Sequence, residues 1–277
     1  MSAQSIRSPR LLEGRNAIIY GGGGAIGGAV ARTFAREGAN VFLAGRRLDQ
    51  LAAVAADITA ASGSAETAEV DALDEAAIAE HVRAVATQAG SIDISFNAIT
   101  LGDVQGMPLI EMPAEDFVRP ITTGALTHFL TSRAAAPRMV NQRSGVILTL
   151  TASAARAAGP MMGGFGVACA AIEAFTRCLA AEVGPLGVRV VGLRSEGIPE
   201  TWPEEFVSHG FDTPEDRHEG SPGMDRPAFE RHLAAQTMLR RMPTLAQVAE
   251  VAAFLASDRA GAMTATIANV TCGTVLD

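Results

Sequence analysis

Ile18-Ile19-Tyr20-Gly21-Gly22-Gly23-Gly24-Ala25-Ile26-Gly27-Gly28-Ala29-Val30 is the stretch from which the fold can be read. The apolar run Ala17 to Tyr20 ends in four glycines, and beyond them Ile26, Val30 and Phe34 recur at helical spacing, so the segment reads as strand, tight turn and helix. Glycines at such a turn let the backbone come close to a bound pyrophosphate, and the free N–H groups that open the helix attract that anion. A glycine run alone is an ordinary turn; the ligand reading requires a βαβ unit and a ribose contact downstream. Gly38 stops the first helix, and Asn40 to Ala44 supplies the second buried strand. At its end stand Gly45-Arg46-Arg47, where an NAD site would place an acid for the ribose 2′-hydroxyl. Two arginines suit the 2′-phosphate of NADP; the alternative is that Arg46 and Arg47 are solvated residues opening the next helix.

The alternation continues. Leu48 to Ala61 has helical spacing, Ala65 to Val70 reads as a third strand closed by Asp71, and Asp74 reads as the N-cap of a helix to Ala89. A fourth strand over Ile92 to Asn97 leads to a long helical segment, Pro113 to Val140, which Pro120 should kink or restart. A fifth strand (Gly145 to Thr151), a small-residue loop, a helix from about Gly164 to Val183 and a sixth strand (Val188 to Leu193) follow. Leu245 to Ala256 forms a last helix and Thr264 to Val270 a seventh strand. This pattern predicts an α/β fold over residues 1–277: a single doubly wound Rossmann-type domain with a seven-stranded parallel sheet and helices on both faces. Prolines and glycines break the stretch 195–242, which is expected to be a lid or substrate loop; His209 and His218 within it read as solvated.

Composition narrows the function. With 48% hydrophobic residues the 277-residue chain can bury one sizeable core, and a net charge of −8 argues against nucleic acid or an anionic membrane as partner. Met1 to Asn16 is polar and carries Arg7, Arg10 and Arg15, unlike a secretory signal, so a cytoplasmic location is expected. Cys169, Cys178 and Cys272 are widely spaced, which predicts reduced thiols and no metal site. All 22 basic residues are arginine, and Tyr20 is the single tyrosine.

Taken together, these residues resemble the short-chain dehydrogenase/reductase family from Leu12 to Asp277. The likeness rests on the glycine loop Gly21 to Gly27, on Asp71-Ala72, and on Asn97-Ala98-Ile99-Thr100 where the family has Asn-Asn-Ala-Gly. It extends through Ala170 to Arg177, Leu179 to Glu182 and the tail Val251 to Asp258. The resemblance implies NADP(H) held by Gly21, Gly24, Ala25, Ile26, Gly27, Arg46, Arg47, Asp71, Ala72, Asn97, Ala98 and Ile198. It also implies a homodimer or homotetramer packed through the helices at Pro113–Val140 and Gly164–Val183.

The family's catalytic tetrad does not carry over. Its tyrosine and lysine positions are Phe165 and Cys169, its serine position, thirteen residues before Phe165, is Ala152, and its asparagine position is Ile121. With no lysine and one tyrosine, which stands in the glycine loop, the pair cannot be rebuilt elsewhere. The Pro-Gly after the sixth strand is Ser195-Glu196, and a loop glycine is Ala25. Thr151 and Ser153 are candidate substitute hydroxyls or local backbone partners, and Cys169 is a nucleophile or, in apolar surroundings, a packing residue. Arg194 and Glu196 either orient a charged substrate or form a structural ion pair. Three functions remain open: an NADP(H)-dependent oxidoreductase with a degenerate site acting on an activated, enone-like molecule; an inactive nucleotide-binding or assembly subunit; or non-redox catalysis in a pocket lined by Met161, Met162 and Phe165.

Overall fold

The computed structural model describes residues 10–277 apart from 158, 206 and 209–222, so His209 and His218 lie outside the described residues. In chain order the elements are β1 (Asn16–Tyr20), α1 (Ala25–Arg36), β2 (Asn40–Gly45), α2 (Leu48–Ala60), β3 (Ser64–Glu69), α3 (Glu75–Ala89) and β4 (Ile94–Asn97). They continue with α4 (Ala114–Gln142), β5 (Gly145–Ala152), α5 (Phe165–Val183), β6 (Val188–Ser195), β7 (Val207–Ser208) and β8 (Met224–Asp225). The last are α6 (Arg226–Gln236), α7 (Leu245–Ala256) and β9 (Ile267–Val270). Seven strands form one parallel sheet in the order β3-β2-β1-β4-β5-β6-β9. The order reverses between β1 and β4, which opens a crevice at their carboxyl ends, where open α/β sheets bind ligands.

The two-residue period of β1 divides the core. Ala17 and Ile19 point to one face and pack with Val30, Phe34, Val54, Val248 and Ala252 of α1, α2 and α7. Ile18 and Tyr20 point to the other and pack with Ile78, Val82, Leu130, Met139 and Val183 of α3, α4 and α5. Both faces of the sheet are covered, which is why β1, β5 and β6 read as near-continuous apolar runs. Local signals set the helix ends. The Asp74 carboxylate accepts from the N–H groups of Ala76 and Ala77, Gly90 closes α3 at a φ of 81°, and Thr244 and Gln247 form a capping box on α7.

Two expectations are corrected. Pro120 does not restart the helix as a separate element: α4 runs uninterrupted through Pro120 and Pro137. Each proline removes one backbone donor, and packing holds the helix around the loss, since Pro120 is buried and Gly164, just before α5, has no room for a Cβ against Phe117 and Pro120. The lid region is not wholly irregular, because it contains α6. Asp225 caps that helix by accepting from Ala228 N–H, and Pro227 sits in its first turn, where a proline starts a helix rather than breaking one. No helix among the described residues is long and apolar enough to cross a membrane.

His128, on α4, is buried, donates from Nδ1 to the Gly124 carbonyl at 2.8 Å and leaves Nε2 without a partner. Burial pushes its pKa down from 6.5 to about 4, so the folded protein keeps it neutral while the unfolded chain protonates it below pH 6.5. Stability is therefore lost as the pH falls from 6.5 toward 4, by up to about 3 kcal/mol from this group, and burial of His81 adds in the same direction. Urea denaturation at pH 7 and pH 5 should show a smaller pH-dependent loss in His128→Gln than in the wild type; equal losses would contradict the assignment.

Candidate functional site

The crevice begins where β1 turns into α1. Gly21 has a φ of 74°, its N–H donates to Ala44 at 2.8 Å, and a Cβ on it would lie 2.6 Å from the Ala98 carbonyl oxygen. A Cβ on Gly27 would collide with the Gly21 carbonyl, so the first turn of α1 is drawn hard against the loop. Gly24 is the N-cap, and the N–H groups of Ala25, Ile26 and Gly27 open the helix with no acceptor inside it. Gly24, Ala25, Ile26 and Gly27 line a cavity of about 600 Å³, within the range of small-molecule sites. The backbone thus offers what a pyrophosphate requires: close approach, free donors and the positive end of a twelve-residue helix.

A recess of about 330 Å³ adjoins it. Arg46 and Arg47 line it, both exposed and in no ion pair among the described residues, together with Asp71 and Ala72. Arg119 of α4 lines it as well, paired with Asp116 at 2.6 Å, a residue that sequence reasoning missed. The Asp71 carboxylate accepts from Leu73 N–H at 3.0 Å and shapes the turn after β3. Asn97 is buried with both polar atoms engaged: Oδ1 accepts from Ile99 N–H at 3.0 Å and Nδ2 donates to Thr131 at 3.2 Å. Asn97 therefore holds the loop that carries Ala98, which itself lines both recess and cavity.

At the far end of the cavity, Phe165, Cys169 and Ala152 come together with Ile121 around Leu101, Ala168 and Ile172 as one apolar cluster. Cys169 is 1% exposed; burial, with the charges of Asp103 and Glu173 adding, pushes its thiol up to about 12, against the pull of a backbone hydrogen bond from Ala152. It is a neutral packing thiol rather than a nucleophile. Of the candidate hydroxyls, Thr151 is engaged, donating to Glu173 Oε1 at 3.2 Å. Ser153 is buried in the short turn after β5 and lines the cavity. Met162 also lines it, whereas Met161 is not among the lining residues.

Arg194 and Glu196 are not each other's partners. Arg194, 1% exposed, makes a bidentate pair with Glu173 (2.7 and 2.9 Å) and reaches Asp277 at 2.5 Å. It is a structural cation that ties β6 to α5. Hydrogen bonds to Glu173 hold its guanidinium protonated, and its hydrogen bond to Asp277 lowers that carboxyl's pKa. Glu196 turns toward the adjoining backbone instead: Oε1 accepts from Gly197 N–H at 3.0 Å, and Oε2 is buried without a partner among the described residues. Ile198 lines the cavity and its carbonyl accepts from Thr201, while Trp202, Phe229 and Leu233 form an apolar wall, with the two aromatic rings 5.1 Å apart.

The comparisons agree with this geometry. Residues 15–201 match the family model described as short chain dehydrogenase. The chain is 27% identical over 264 residues to a 7alpha-hydroxysteroid dehydrogenase of Escherichia coli (strain K12), covering 95% of each protein. It is 31% identical over 267 residues to Oxidoreductase asL5 of Sarocladium schorii, covering 95% of this chain and 96% of that one. A citronellol catabolism dehydrogenase of Pseudomonas aeruginosa PAO1 superposes with a TM-score of 0.77 at 25% identity over 98% of both chains. An NAD+-bound xylitol dehydrogenase shares the fold, with a TM-score of 0.80 at 22% identity over 95% of this chain and 99% of that one. A tight glycine turn between β1 and α1, the reversal of strand order beside it and a family match across most of the chain lead to one conclusion: this protein belongs to the short-chain dehydrogenase family of oxidoreductases, which bind a nicotinamide cofactor.

Proposed function

We propose that this protein binds NADP(H) and an activated small molecule, such as a conjugated enone, in a site whose proton-delivery apparatus has been replaced by apolar packing. The carrying observation is that the four positions matching the family's tetrad, Ile121, Ala152, Phe165 and Cys169, gather in one apolar cluster, where three of the side chains carry no proton to give and burial keeps the Cys169 thiol neutral. A bound nicotinamide would supply hydride. The chain's own residues would hold the pyrophosphate at Gly24, Ala25, Ile26 and Gly27, the adenosine end at Asp71 and Ala72, and the 2′-phosphate at Arg46 and Arg47. Backbone at Ile198 would meet the other end, beyond the loop held by Asn97.

Phe165 has no proton to give to a carbonyl oxygen. The loss of a general acid typically costs 10²–10⁴ in rate, about 3–5 kcal/mol. Ser153 is left as a hydrogen-bond donor at the cavity, because Glu173 takes the Thr151 hydroxyl. A substrate that is already electron-poor escapes most of that cost, since less charge develops on its oxygen. A second reading, a catalytically inactive subunit kept for nucleotide binding and assembly, is favoured by apolar surface on α4 and α5. Leu126, Phe129 and Val167 there are 38%, 43% and 47% exposed, a face suited to a homodimer or homotetramer.

Two measurements test the proposal. NADPH at about a hundredfold over its Kd should add about 2.7 kcal/mol of stability and raise Tm by several degrees, more than NADH does. Arg46→Ala with Arg47→Ala should erase that preference, and a Tm indifferent to both nucleotides would contradict cofactor binding. Restoring the tetrad as Ile121→Asn, Ala152→Ser, Phe165→Tyr and Cys169→Lys, with Phe165→Tyr alone as a milder variant, should raise reduction of simple ketones by about 10²–10⁴. A wild type that already reduces such ketones as fast as the restored variant would contradict the degenerate-site reading.

A further inference from the structure

We infer that the end of the cavity beyond the apolar cluster is a binding site for an organic cation, a protonated amine or an iminium on an apolar body, held by the carboxylates of Glu196 and Asp103 beside Trp202 and Phe229. The inference rests on the reading above that this cavity receives the acceptor, and it names the acceptor's charge.

The lining is polarised. Among the described residues Arg47 is its only basic side chain and stands at the end shared with the arginine recess, whereas Asp103 and Glu196 carry the only other charges. Neither carboxylate is in an ion pair among the described residues: the Asp103 carboxylate accepts from the neutral Gln105 amide at 2.7 Å, and Glu196 accepts only from Gly197 N–H. Glu173, beneath this end, is by contrast neutralised by Arg194. Glu196 Oε2 is buried with no partner among the described residues, a costly arrangement that a positively charged ligand would relieve.

The charge of Asp103 is felt at Cys169, the position where the family carries a lysine ammonium. A neutral thiol there leaves the local negative charge without its cation. The wall completes the site, since Trp202, Phe229, Leu233, Phe165 and Met162 offer apolar and aromatic surface, and aromatic faces attract ammonium groups. The class also fits the missing proton donor. An iminium carbon accepts hydride from a reduced nicotinamide as its C=N electron pair withdraws onto nitrogen, giving a neutral amine with no proton required.

The test uses the full chain and three probes of similar size: benzyltrimethylammonium, benzyl alcohol and phenylacetate, titrated by calorimetry and by emission of Trp202, the only tryptophan. The cation should bind about tenfold more tightly than the alcohol, and phenylacetate should bind weakest. Glu196→Gln and Asp103→Asn should each weaken the cation about five- to tenfold and leave the alcohol unchanged, and rising salt should weaken the cation alone. Equal binding of the three probes, or cation affinity unmoved in both isosteric variants, would overturn the inference. NADPH titrated into the same preparations separates the two readings. Cation binding without nucleotide binding would leave this site standing and remove the oxidoreductase proposal, and nucleotide binding with no discrimination among the probes would do the reverse.

Discussion

Two stretches of backbone meet at the end of β1 more closely than side chains would allow, and the ligand crevice depends on that meeting. Gly27 faces the Gly21 carbonyl with no space for a Cβ, and Gly21 itself lies against Ala98 at the end of β4. A methyl group at either position would push α1 away from the sheet or away from the β4 loop, closing the anion cradle or misdirecting its N–H groups. The sheet supplies the rest, because β1 and β4 are neighbours across the reversal of strand order and their following loops must diverge. The cavity lies in that divergence.

Beneath the cavity the protein handles charge by burial and pairing. Glu173 and Arg194, 3% and 1% exposed, form a bidentate pair, and Glu173 also accepts the Thr151 hydroxyl. Removing one partner of such a pair costs about 3–5 kcal/mol, since the other charge is left desolvated. The pair therefore makes Arg194 and Thr151 part of the scaffold, even though both lie near strand ends and Thr151 lines the cavity. Phe165, Cys169, Ala152 and Ile121 complete a floor that is apolar and tightly packed. Polar capacity survives at the rim, in Ser153, Asp103 and Glu196.

Much of this was legible in the sequence because it rests on local rules. The strand–glycine–helix stretch at 16–36, the Asp74 cap and the seven predicted strands correspond to structural elements within a few residues. Pro120 misled because helix propensity weighs one lost hydrogen bond and cannot see the packing of α5 against the first turns of α4. α6 was missed because Pro227 was counted as a breaker, although Asp225 two residues earlier is the cap that makes it a starter. The pairing of Arg194 with Glu173 spans 21 residues and two elements, and the cation could equally have been assigned to Glu196. The contribution of Arg119 to the recess likewise required tertiary structure, because α4 crosses that opening from far along the chain.

The glycine turn at β1–α1 adjoins tetrad positions that hold no proton donor, so the most direct measurement is the pH dependence of hydride transfer itself. In single turnovers of NADPH with an electron-poor acceptor that does not titrate, the rate should stay flat between about pH 6 and pH 9, because none of the side chains at the four tetrad positions, Ile121, Ala152, Phe165 and the buried Cys169 thiol, delivers a proton in that range. A rate that falls through a midpoint in the neutral to alkaline range would reveal a working acid and contradict the account.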